Sequence, residues 1–307
     1  MFKRLLYKFG QLLANHLPIK ISYTIANVIC DFQYLFSFKD RCTVKNNLDK
    51  ILGEGKYNPQ IIREMFRNFG RYLVEFFKME KMVDSKFIQK MVRVNGLHYV
   101  DKVLEKGRGC IVLTAHIGNW ELGAVLLSKL GYPLVVVALP HNERPVNNFF
   151  NQQREMHGNI VVPTKMAIRK CSEALIKNKL VGLVADRVFS SKGTVVDFFG
   201  HQALLPKGPA MFSFKLGAPI IPVFLIRQKD GTFILTFKEP IDPPRNKENI
   251  EEEEGVLNLI RQYTHVIEQE IRKYPEQWLM FRDFSTGRPS LNTTPGSKEC
   301  SSSRKAG

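Results

Sequence analysis

The residues of this chain best placed to do chemistry are His116 and Glu121, in the run Thr114-Ala115-His116-Ile117-Gly118-Asn119-Trp120-Glu121. The apolar stretch Gly109 to Leu113 precedes them and reads as a buried strand; Ala124 to Leu130 follows and reads as a helix. A histidine therefore sits where a strand gives way to a helix. In parallel α/β sheets the loops at the carboxyl ends of strands converge over a crevice, which is where ligands bind. Five residues along an ideal helix is about 500°, so side chains with this spacing point roughly 140° apart. The two meet only if His116 lies in the turn, with Gly118 giving backbone freedom and Glu121 reaching back from the first helical turn. A carboxylate on one imidazole nitrogen fixes the tautomer and stabilises the imidazolium, and the other nitrogen then takes a proton from a hydroxyl. The pattern holds no serine, so that hydroxyl belongs to the substrate. The alternative is a strand-end histidine that only caps the next helix.

Other chemistry-bearing residues fall near the same sheet edge. Arg154 lies on a helix-like stretch, 144–157, after the next strand; its guanidinium suits bidentate binding of a phosphate, or is a surface charge. Asp186 ends the run Leu180 to Ala185. Arg187, Lys192 and Lys207 make the neighbouring loops basic, which attracts an anionic group such as a phosphate. Gly208-Pro209 opens either a helix whose free N–H groups hold an anion or a plain turn. His141, His157 and His201 stand singly and suggest no metal site, and there is no serine-hydrolase elbow and no glycine-rich nucleotide loop.

His116-x-Gly118-Asn119-Trp120-Glu121 after a hydrophobic strand resembles the lipid A biosynthesis (lauroyl/myristoyl) acyltransferase family, within the glycerolipid acyltransferase superfamily that carries His-x4-Asp/Glu. The resemblance continues in order through Asn147-Asn148-Phe149-Phe150 ahead of Arg154, then Ala185-Asp186, Phe198-Phe199-Gly200, Gly208-Pro209-Ala210, Gly217 to Pro222 and Pro275-Glu276-Gln277-Trp278. It implies His116 as general base and Glu121 as its partner. It implies Arg154 and Asp186 as residues that orient the acceptor; Asn119 and Arg187 are further candidate substrate contacts of this chain. The family commonly has Asp-Gln where this chain has Asp186-Arg187, so the added cation bears on the choice of headgroup. The implied reaction moves a fatty acyl chain from an acyl carrier protein or coenzyme A thioester to a hydroxyl of a membrane lipid, first of all a lipid A precursor. Lysophospholipids and other glycolipids are the alternative acceptors. The thioester is a co-substrate and no cofactor is expected. Backbone N–H groups in the Ile117 to Asn119 turn are the first candidates for holding the tetrahedral oxyanion.

The elements that must position these residues alternate. Strands are expected at 109–114, 134–139, 159–162, 180–185 and 219–226, with a hairpin partner at 232–238 around Asp230-Gly231. Helices are expected at 119–130, 144–157, 165–178 and 207–216, and from Glu251 through about Lys273. This is an α/β fold with a mostly parallel sheet flanked by helices. Ahead of it, Asn58-Pro59 opens a helix with Ile62, Met65, Phe66, Phe69, Leu73, Phe76 and Phe77 on one face.

The N-terminal 38 residues mix Lys3, Arg4 and Lys8 with apolar residues, and Asp31 interrupts the apolar run 21–38. They read as N-terminal membrane-associating helices lying on an anionic membrane surface, or as a tilted span through 19–38. A net charge of +16 fits such a surface better than nucleic acid, for which no binding motif is present. The five cysteines show no Cys-x2-Cys pair and suggest a reducing compartment. The expected division is membrane-interface helices over 1–40, an acyltransferase α/β domain over 41–284 and a disordered tail over 285–307. The expected location is the cytoplasmic face of the bacterial inner membrane, peripheral or single-span. Other readings are an acyl thioesterase, an inactive membrane scaffold and a nucleic-acid-binding protein.

Overall fold

Short runs of Val, Ile, Leu and Phe set the frame. In the computed structural model they form β1 (Val92–Asn95), β2 (Cys110–Thr114), β3 (Leu134–Ala138), β4 (Ile160–Pro163), β5 (Leu180–Val184), β6 (Thr194–Phe198), β7 (His201–Leu205), β8 (Ile220–Arg227) and β9 (Phe233–Phe237). The structure describes residues 10–12, 14–141, 143–188, 193–244 and 249–285. Lys192, residues 1–9 of the expected surface helices and all of the expected tail except Ser285 lie outside the described residues. Seven strands make one sheet in the order β1-β9-β8-β2-β5-β3-β4, parallel throughout except for the β8–β9 hairpin. The mostly parallel sheet and the Asp230-Gly231 hairpin are as expected. β1 and the antiparallel pair β6–β7, which stands apart from the main sheet, are not among the expected strands. β1 is only four residues long and β6–β7 turns through Phe199 and Gly200 with positive φ, so neither gives a long apolar run to read.

Helices cover both faces. α5 (His98–Leu104), α6 (Trp120–Lys129), α7 (Arg144–Glu155), α8 (Ala167–Ile176), α9 (Gly208–Leu216) and α10 (Glu252–Lys273) follow the strands, and α4 (Ser85–Met91) precedes β1. Along β2, Ile111 and Leu113 join the cluster containing Leu259, Tyr263 and Ile267 of α10. Cys110 and Val112 point the other way, into the cluster with Leu122, Val125 and Leu126 of α6. This two-residue alternation into two cores explains why β2 reads as unbroken hydrophobe.

Ahead of the sheet come α1 (Ile19–Phe36), α2 (Phe38–Leu52) and α3 (Gln60–Met82). α3 starts after Asn58, whose side chain accepts from the Gln60 N–H at 2.9 Å, a hydrogen bond that closes the first turn. α1 packs on α3 through its small residues. Ser22, Ala26 and Cys30 are buried, and a Cβ at Gly70 of α3 would collide with Cys30 Sγ. Ile21, Ile25, Val28, Ile29, Phe32, Leu35 and Phe36 face outward instead, Phe36 being 83% exposed. Asp31, the acid in this run, is clasped by Arg63 and Arg67 of α3. Among the described residues no helix is long and apolar enough to cross a membrane, the stretch 19–38 included.

Candidate functional site

β2 and β5 are neighbours, in register with Thr114 opposite Val184, and the Ala185 N–H continues the ladder to the Thr114 carbonyl at 2.9 Å. Carrying that register two residues past the strands sets His116 opposite Asp186, and there they bond. His116 Nδ1 lies 2.6 Å from Asp186 Oδ1, and the His116 backbone N–H donates to Asp186 Oδ2 at 3.0 Å. The Trp278 indole N–H also donates to Oδ2, at 2.9 Å. Asp186 is 1% exposed. Burial alone would push its carboxyl up; the His116 charge and hydrogen bond, Arg187 and the Trp278 N–H outweigh it and hold the group well below the usual carboxylate range. A carboxylate kept ionised on Nδ1 assigns the proton to that nitrogen, so Nε2 is the nitrogen that can take a proton from a substrate hydroxyl.

The carboxylate that bonds the imidazole is thus Asp186 and not the expected Glu121. Glu121 lies in the first turn of α6, where its two oxygens accept from Arg154 Nε at 2.8 Å and Nη2 at 2.6 Å. The physical reason is the helical spacing. Glu121 leaves α6 on the side facing α7, whose last turn carries Arg154, whereas the carboxyl end of β5 lies directly beside that of β2. The same fork engages the Nε/Nη2 edge of the guanidinium expected to bind a phosphate. Arg154 is an ion-pair partner within the site's wall. Arg187 follows Asp186 and feels Asp186, Arg282 and Tyr72 as charged or ionisable neighbours; burial in the first place lowers its affinity for a proton.

Asn119, expected to touch substrate, faces inward. It caps α6 by accepting from the Leu122 N–H at 3.0 Å, and its amide donates to Glu75 Oε2 at 2.6 Å. The turn's amides are committed as well. Gly118 N–H donates to the Gln277 carbonyl and Asn119 N–H to the Leu225 carbonyl, each at 3.0 Å. These two N–H groups do not serve an oxyanion. Gly118 has φ +61°, and a Cβ there would collide with the Leu225 carbonyl oxygen, so only glycine fits.

Two further supports hold the imidazole. The His116 carbonyl accepts from the Leu279 N–H at 2.8 Å, and the Trp120 ring stands edge-on to the imidazole with centroids 4.7 Å apart. Tyr72 of α3 stacks on Trp120 at 4.6 Å. Trp278, Glu75, Gln277 and Arg227 are missing from the sequence-based candidates. A trace exists for Glu75, an acid set directly before Phe76 and Phe77 on the apolar face of α3, and for Gln277 and Trp278, which belong to the Pro275 to Trp278 motif of the resemblance without a role being read from it; Arg227 carries no local mark.

A profile of the bacterial lipid A biosynthesis acyltransferases matches residues 2–284. Among curated relatives, the phosphatidylinositol mannoside acyltransferase of Mycolicibacterium smegmatis is 27% identical over 202 residues, 64% of this chain and 66% of that protein. Its counterpart from Mycobacterium tuberculosis is 28% identical over 186 residues, 58% of this chain and 59% of that protein. The lipid A biosynthesis palmitoleoyltransferase of Escherichia coli is 26% identical over 230 residues, 74% of this chain and 72% of that protein. The matched part thus spans 66% and 59% of the two mycobacterial relatives' length, under two thirds of each.

Proposed function

The chain belongs to the bacterial lipid A biosynthesis acyltransferase family, and from that premise we propose that it transfers a fatty acyl chain from an acyl thioester to a hydroxyl of a membrane glycolipid. The observation that carries the reading is the buried His116–Asp186 pair at the carboxyl edge of the sheet. His116 Nε2 takes the hydroxyl proton as the lipid oxygen attacks the thioester carbonyl. Asp186 stabilises the imidazolium that forms. Collapse of the tetrahedral intermediate forms the ester, breaks the carbon–sulfur bond and releases the thiolate, which recovers the proton from His116. A positioned base of this kind is worth on the order of 10² to 10⁴ in rate. The oxyanion is met by donors other than the Gly118 and Asn119 amides, both of which are engaged within the protein. Glu121 and Arg154 act together as a fixed ion pair beside the base, and Arg187 supplies positive charge for a phosphate of acceptor or donor.

The donor is an acyl carrier protein or coenzyme A thioester, and the acceptor a lipid A precursor; relatives named for phosphatidylinositol mannoside make other glycolipids the nearest alternative. The outward apolar face of α1, on a chain of net charge +16, supports a peripheral seat on an anionic membrane, at the cytoplasmic face of the inner membrane.

The test is mass spectrometry of lipids after incubating the protein with each thioester and a lipid A precursor, a phosphatidylinositol mannoside, a lysophospholipid or no acceptor. Acylated glycolipid from the wild type and none from His116→Ala is the expected result. Free fatty acid without acylated lipid would replace the transferase reading with a thioesterase. Transfer that persists in His116→Ala would remove the histidine from the mechanism.

A further inference from the structure

Behind the catalytic turn lies a buried polar cluster centred on Glu75 of α3, which is 0% exposed. Its Oε1 accepts from Arg227 Nε and from the Tyr23 hydroxyl, each at 2.6 Å, and its Oε2 accepts from Asn119 Nδ2 at 2.6 Å. Arg227, at the end of β8, also donates from Nη1 to Asn68 at 2.8 Å, and its backbone pairs with the Gln277 side-chain amide at 3.1 and 2.9 Å. Gln277 in turn accepts from Gly118 and precedes Trp278, which bonds Asp186. The cluster therefore reaches both halves of the His116–Asp186 pair from behind.

Burying an ion pair costs desolvation that its mutual attraction offsets only with complete hydrogen bonding, and apolar side chains of similar volume would often hold a core as well. Here the geometry is complete and the one group of the cluster that reaches the catalytic turn by its side chain is Asn119. The geometry points to Glu75 as a positioning residue of the transferase: it fixes the Asn119 amide, and through it the start of α6 and the His116 turn. This rests on the function proposed above. Its mechanism is orientation. Asn119 has two ends: Glu75 accepts from Nδ2, which directs Oδ1 to the Leu122 N–H that it caps.

The test is a swap of donor and acceptor. Glu75→Gln keeps the shape but offers one oxygen and one amide to three donors, so either the Asn119 amide or the Arg227 and Tyr23 donors face another donor. Asn119→Asp added to Glu75→Gln restores a donor–acceptor pair while keeping an acid that caps α6 equally well. Three forms, wild type, Glu75→Gln and the double variant, are compared for steady-state acyl transfer, with thermal melting and the far-downfield His116 Nδ1–H proton resonance measured without substrate. That resonance is assigned by its absence in His116→Ala. Glu75→Gln should lower kcat about 10- to 100-fold with KM for the thioester little changed, as small misplacements of a base do. The Nδ1–H signal should broaden or shift, and the double variant should recover both. A folded Glu75→Gln with unaltered kcat and resonance would overturn the assignment. So would a folded double variant as impaired as the single one, and this second comparison decides the matter if Glu75→Gln alone does not fold. If the wild type acylates no acceptor, the functional reading falls, and the resonance alone decides whether Glu75 orients His116.

Discussion

Asp186 and Glu121 are both acids within reach of the same sheet edge by sequence, and their roles exchange in three dimensions. His-x4-Glu drew the pairing to Glu121 because the two are close along the chain. Asp186 is 70 residues from His116 and meets it only because β2 and β5 are adjacent, which no local pattern encodes. The exchange has consequences. Asp186→Asn should cost transfer nearly as much as His116→Ala, about 10²-fold or more, because the imidazolium loses its counter-charge; near-normal kcat would put the orienting role elsewhere. Glu121→Ala should act differently. It strands Arg154 in a mostly buried setting and should destabilise the fold by about 3 to 5 kcal/mol in urea unfolding, whereas the double variant Glu121→Gln with Arg154→Gln should be much milder. The depressed Asp186 carboxyl also fixes a pH dependence. Its contribution to stability is complete above the unfolded carboxylate pKa of about 3.9 and is lost as pH falls further, toward its folded value. Between about pH 5 and 2 the wild type should therefore lose more unfolding free energy than Asp186→Asn; parallel losses would contradict this.

At the scale of elements, the strands and helices from Cys110 to Val184 and from Gly208 to Lys273 are legible because a parallel sheet covered on both faces turns each strand into an apolar run and each helix into an amphipathic one. β1 and the β6–β7 pair are not legible, being short or joined through positive-φ residues without a Gly-Asn or Asn-Gly signature. The turn after β2 is the element on which the site depends most. Gly118→Ala puts a Cβ into the Leu225 carbonyl at a positive φ, and about 1 to 3 kcal/mol of strain is expected. A lowered melting temperature together with lost transfer is the predicted outcome, and a variant of unchanged stability and rate would show that the turn tolerates movement. In the sequence, helix α3 shows only its apolar face. Glu75 sits on that face as the anchor of the cluster behind the turn, a role visible only once α1, β8 and the segment around Gln277 close over it.

Over the whole molecule, one side of the fold is built inside out. α1 turns its small residues onto α3 and its large apolar residues outward, on a chain carrying +16. Burying three such side chains in a lipid interface is worth about 1.5 to 3 kcal/mol each. Replacing Ile29, Phe32 and Phe36 with Ser should weaken binding to anionic vesicles by about 100-fold or more without altering the melting temperature, as read by vesicle co-sedimentation. Equal sedimentation would move the membrane contact elsewhere. On the proposed function, that face would seat the protein on the surface holding its acceptor, and the His116–Asp186 pair would activate the acceptor's hydroxyl. The most direct measurement is the initial rate of acylated glycolipid formation by wild type and His116→Ala on the same vesicles, with vesicle binding and melting followed in parallel. A rate lower by about 10² to 10⁴ in a variant that still binds and melts like the wild type is the predicted result. Equal rates would contradict the assignment of the base.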